Sequence, residues 1–100
     1  MSKTKVYTMT EYLELGLDTG DYGFSSLQGK FKATLDLKVM MKNNRLMLNF
    51  FTLENGEKIV CTTPAFKGYL GMSYMDIGSI LTLTLERRSD DRAYLVRVEK

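Results

Sequence analysis

The side chains able to do covalent chemistry in this chain are few in kind. There is no His and one Cys, Cys61. That leaves no imidazole base for a nucleophilic triad and no nitrogen- or sulfur-rich ligand set for a metal. The acid pairs Glu54 with Glu57 and Asp90 with Asp91 fall where hairpin tips are expected, and carboxylates at such tips are solvated. Cys61 falls on an apolar strand face, the place of a small core residue rather than a reactive thiolate. Gly20…Gly23 and Gly68…Gly71 lack the strand–turn–helix setting that a phosphate-binding loop needs. The expectation is a chain that binds rather than catalyses, with no cofactor and no metal.

Binding chemistry is better represented. Net charge is only +2, but its excess sits in one stretch, where Lys30, Lys32, Lys38, Lys42 and Arg45 face Asp36 alone. A second group, Arg87, Arg88 and Arg92, shares a short loop with Asp90 and Asp91. Between these groups lies Phe51, flanked on the same strand face by Met40, Met47, Asn49, Val60 and Lys38. A ring beside a cation and an amide is the combination that single-stranded nucleic-acid sites use: the ring stacks on a base and the cation meets phosphate. The alternatives are that the chain's own N-terminal segment packs over this ring, or that a second copy does. Tyr22 and Phe24, aromatics in a Gly-, Asp- and Ser-rich loop, either lid a core or join such a site.

The elements that must position these residues follow from spacing. Thr8-Met9-Thr10-Glu11 fits a capping box and predicts a short helix that stops at Gly16. From Gly29, apolar Phe31, Ala33, Leu35, Leu37 and Val39 alternate with polar neighbours, which predicts a long half-buried strand. Asn43-Asn44 suits a two-residue turn into a second strand, Arg45–Leu53. Asn55-Gly56 is the strongest hairpin signal in the chain and leads to Lys58–Thr63, ended by Pro64. Two-residue turns at both places pair Leu37 with Phe50, Val39 with Leu48, and Phe50 with Cys61. They put Leu48 and Phe50 inward and Phe51 outward. Residues 65–77 carry Phe66, Tyr69, Leu70 and Met72 near helical spacing, interrupted by glycines. Leu81, Leu83 and Leu85 mark a fourth strand, and Ala93–Val98 a fifth.

This order, three meandering strands, a short helix and a hairpin, resembles the OB-fold, a five-stranded Greek-key barrel that binds oligonucleotides and oligosaccharides. The resemblance covers residues 29–98 and rests on topology, on Gly29 entering the first strand and on the Ile77-Gly78-Ser79 turn into the fourth. It implies a mainly all-β domain over 1–100. Within it, 29–100 form an antiparallel barrel with a short helix between its third and fourth strands, while the helix and loop of 1–28, read from the residues themselves, are an addition that the family pattern does not require. It also implies a binding surface on the outer face of strands two and three with the loops at 42–45 and 87–92.

Combining residues and resemblance, the expected function is a non-catalytic module for single-stranded DNA or RNA in replication, recombination or a phage or mobile-element system. Lys30, Lys32, Lys38, Lys42, Arg45, Asn49, Phe51, Arg88 and Arg92 form the expected contact set. The alternative is a protein-interaction or dimerisation module using the same face, which the modest charge favours. No apolar run nears the roughly 20 residues that span a bilayer, and the lone Cys suits a reducing compartment, so the expected location is cytoplasmic.

Overall fold

The computed structural model describes residues 5–16, 19–41, 45–65, 71–72 and 75–100. The elements are β1 (Tyr7–Thr8), α1 (Met9–Leu15), β2 (Gly23–Phe24), β3 (Gly29–Met40), β4 (Leu46–Leu53), β5 (Lys58–Pro64), β6 (Ile80–Arg87) and β7 (Ala93–Glu99). The capping box forms as its residues dictate. Thr8 Oγ1 accepts from Glu11 N, and Glu11 accepts from Thr8 N, both at 3.1 Å. Gly16 ends the helix in the left-handed region, its N–H donating to Leu13 O.

The five long strands run in the order β5-β4-β3-β6-β7, all antiparallel. Among the described residues the sheet is nevertheless open and mixed, with seven strands, not a closed five-stranded barrel. The extra two explain the difference. β1 adds in parallel to the end of β3, at Val39 and Met40, and β2 adds in parallel to β5, at Ile59 and Val60. Just after β2, Ser25 O accepts from Ala93 N at 2.7 Å. The segment Gly23–Ser25 is thus bonded to β5 on one side and to the start of β7 on the other, occupying edge groups that a β5–β7 ladder would use.

Two local features decide which side chains face which way. The loop at Glu54-Asn55-Gly56 has three residues, with Leu53 N donating to Glu57 O at 2.7 Å and Gly56 at φ +90°. The third loop residue must adopt a positive φ, which Gly does without cost. This shifts β5 by one residue from a two-residue turn: Phe50 pairs with Val60, and Cys61 with Asn49. The second feature is a bulge in β3, where Leu35 opposes Phe51 and Leu37 opposes Phe50, leaving Asp36 out of the register.

The faces of β4 and of the end of β3 are therefore reversed from the expected ones, while Leu35, Cys61, Leu81 and Leu83 lie in the main core as expected. Phe51 lies in the main core with Leu35, Ile59, Cys61, Leu81, Leu83 and Leu95. Phe50 belongs to a second buried cluster with Val39 and Val60, covered by Tyr7, Met9, Tyr12 and Tyr22 of the N-terminal segment. Leu48 is half-buried beside it. The pairings Leu37–Phe50 and Val39–Leu48 hold as expected, while Phe50–Cys61 does not. Residues 42–44, the expected first turn, and 66–70 and 73–74 of the expected second helix lie outside the described residues. Within that helix span, Gly71 and Met72 form a 3₁₀ turn, and Met72 is buried in the main core.

Candidate nucleic-acid interface

Three of the expected contact residues are interior. Lys38, Asn49 and Phe51 are all fully buried. Lys38 is on the main-core face because the bulge at Asp36 shifts the alternation of β3, and its Nζ donates to Met72 O at 3.1 Å and Met75 O at 2.7 Å. Burial lowers the pKa of this ammonium to about 8, against a smaller opposing effect of Asp76. Asn49 Nδ2 donates to Thr63 Oγ1 at 2.9 Å and to Cys61 O at 3.2 Å. These groups bind the protein's own interior, so none of the three is presented to a ligand. Burial likewise pushes the Cys61 thiol up to about 12, so it is not a thiolate.

The remaining cations separate into two places. Lys30 and Lys32 are exposed beside a depression of about 250 Å³ that Phe31, Leu53, Glu54 and Asn55 complete. Arg88 and Arg92 line a different and larger groove of about 510 Å³. Arg45 is exposed and precedes Leu46, a groove residue. Lys42 lies outside the described residues.

The large groove lies on the outer face of β4 and β5 and is walled by the β6–β7 hairpin. Its lining combines apolar Met41, Leu46, Leu48 and Pro64 with two aromatic rings, Phe24 and Tyr94. Each ring carries a guanidinium. Arg92 Cζ is 4.4 Å from the Phe24 ring centroid, and Arg88 Cζ is 4.3 Å from that of Tyr94. The Tyr94 hydroxyl donates to Asp90, which also accepts from Arg92 N. These bonds hold the Asp90 carboxyl below its ordinary range, the Tyr94 contribution being the larger. Phe24 is 54% exposed, unusual for a ring that apolar neighbours could have covered.

Loop spacing marked Phe24 as a candidate. Tyr94 was missed, although its signal was present: Ala93 and Leu95 face the core, so alternation turns Tyr94 outward, beside the arginine-bearing loop. Tyr22, the other loop aromatic, is a lid, packed edge-on against Phe50 with centroids 5.2 Å apart. Among the described residues, no group of three or more acids or Cys could hold a metal, and no helix is long and apolar enough to cross a membrane. No protein-family model, curated protein or solved structure matches the chain.

Proposed function

We propose that this chain is a non-catalytic module that binds single-stranded nucleic acid along the groove between the outer face of β4–β5 and the β6–β7 hairpin. The observation that carries this reading is the pair of aromatic–guanidinium sites, Phe24 with Arg92 and Tyr94 with Arg88, set into one groove. Bases stack on the free ring faces and over the apolar floor, while the guanidiniums, and Arg45 at the margin, meet phosphates. Every base has a π-face, so sequence preference is small.

The OB-fold resemblance supports the same place. The long strands run in the order that the resemblance implies, β5-β4-β3-β6-β7, and the groove lies on the outer face of β4 and β5 beside the β6–β7 hairpin, where such a fold would bind. Replication, recombination or mobile-element transfer in the cytoplasm is the setting this resemblance implies.

The test is anisotropy of a fluorescein-labelled oligothymidylate at two salt concentrations. Phe24→Ala and Tyr94→Ala should each weaken binding by about 1–3 kcal/mol. Arg92→Ala should also flatten the dependence of affinity on salt, because one fewer phosphate contact releases fewer counterions. Unchanged affinity in all three variants would refute the site.

A second reading, a protein-interaction or dimerisation module, is favoured by the apolar floor and by the hairpin's balanced charge. Glu86, Asp90 and Asp91 offset Arg87, Arg88 and Arg92 there. It requires a wild-type protein that ignores the oligonucleotide and a Phe24→Ala variant that loses self-association in sedimentation.

A further inference from the structure

We infer that Tyr22 and Asp36 are positioning residues for the groove, a role that rests on the binding reading above: their hydrogen bond fixes Phe24 as a groove wall. Phe24 itself is weakly held. Its strand has two residues in a parallel pairing, and its ring contributes little to the core. Parallel pairing is slightly the weaker kind, and two residues give it no cooperativity. One side of this segment is secured by Ser25, which accepts from Ala93 N. The other side needs an anchor, and Tyr22 supplies it two residues away.

The anchor is built from several elements. Tyr22 Oη donates to Asp36 Oδ2 at 2.7 Å, and Thr52 Oγ1 donates to the same oxygen at 2.5 Å. The Tyr22 ring rests edge-on against Phe50, and Lys58 Nζ lies 5.3 Å from its centroid. Asp36 is the residue that the β3 bulge leaves out of register with β4. Bulges re-aim side chains, and this one aims a carboxylate at the tyrosine. Gly23, the one residue between anchor and wall, has no heavy atom within 4 Å of where a Cβ would stand. Side-chain packing at Gly23 therefore adds nothing to hold the wall, and beyond the two-residue pairing with β5 and the stacked Arg92 the position of Phe24 depends on its two flanks.

A hydrogen bond that merely stabilised the fold would act on binding whether or not Phe24 were present. A positioning bond acts only through Phe24. A double-mutant cycle separates these cases. Tyr22→Phe removes only the hydroxyl. In the otherwise wild-type protein it should weaken oligothymidylate binding about three- to tenfold, a fraction of what a hydrogen bond to a charged group is worth. In a Phe24→Ala background the same change should alter affinity less than about twofold, the additivity error of such cycles. Asp36→Ala should copy Tyr22→Phe, and Asp36→Asn, which keeps an acceptor oxygen, should restore binding. Amide exchange at Phe24 should quicken in Tyr22→Phe without ligand. Equal losses with and without Phe24, or no loss in either background, would overturn the positioning role and leave the groove reading standing. A wild-type protein that does not bind the oligonucleotide would overturn both.

Discussion

Phe51→Ala is expected to lower the unfolding free energy by about 3–5 kcal/mol, the range for emptying a buried phenylalanine site. The ring is fully buried, pairs across the sheet with Leu35 and Ile59, and sits among residues from β3, β4, β5 and β6. Strands bonded in a sheet cannot collapse onto a void as a loop can, so the loss should lie toward the upper end. A domain of this length has roughly 5–15 kcal/mol in total, so the variant should melt far earlier and bind poorly only in the fraction that unfolds. Urea denaturation checks the first point. Affinity per folded molecule, measured well below the melting temperature, checks the second and should match wild type. A ring that stacked on bases would give the opposite pattern, with wild-type stability and weakened binding.

The second large effect concerns Lys38 and pH. Its pKa is lowered to about 8 from an ordinary 10.5, chiefly by burial. Below pH 8 the amine is charged in both the folded and unfolded chain, and the fold carries the full burial penalty. Between about 8 and 10.5 the unfolded chain keeps the proton and the fold gives it up. Stability from this group therefore rises with pH across that window. The slope approaches about 1.4 kcal/mol per pH unit, or about 3 kcal/mol across the window. A neutral amine keeps two N–H donors for the Met72 and Met75 carbonyls, so deprotonation need not break those bonds. Cys61 opposes this rise. Its thiol is raised from 9.0 to about 12, so the fold holds a proton that the unfolded chain loses above pH 9. The comparison is cleanest in a Cys61→Ala background, with urea midpoints of the Lys38 and Lys38→Met proteins from pH 7 to 10. The rise should be present with Lys38 and absent with Met. Parallel curves would contradict the assignment.

Much of the architecture was legible because its signals are local. Alternation from Phe31 to Val39 marks β3, Thr8 and Glu11 announce the helix cap, and Asn55-Gly56 places a hairpin. What failed was the facing of the strands, for two physical reasons. A loop of three residues and a loop of two share the same Asn-Gly signal, yet they differ by one residue of register, and one residue turns β4 over relative to β5: Ile59 and Cys61 keep the expected inward face, while Phe51 replaces Phe50 beside them. The bulge at Asp36 does the same within β3, and it leaves no trace in an apolar–polar alternation that runs unbroken from Phe31 to Val39. Phe50 and Phe51 are neighbours and both are buried, one beneath Tyr12 and Tyr22, the other in the main core. Alternation assumes one wet face, and here the N-terminal segment removes it.

The same inversion explains what was legible of the site. Arg88, Arg92 and Phe24 are exposed because the exposure of loops and edges does not depend on strand facing. Lys38, Asn49 and Phe51 lose theirs because each was assigned from the alternation alone. Lys38 adds a second difficulty. A lysine among apolar residues reads as exposed, and the carbonyls that accept from it come from residues 72 and 75, more than 30 positions away in the chain.

The groove is best tested by amide chemical-shift mapping of the full chain as unlabelled oligothymidylate is added. The expected result is that shifts concentrate at Phe24, Ser25, Leu46, Leu48, Thr62 and residues 88–95. The amides of Lys38, Asn49 and Phe51, and those flanking the Lys30–Lys32 depression, should stay nearly still. A spectrum that does not move, or one whose changes centre on Lys30, Lys32 and Asn55, would contradict the account.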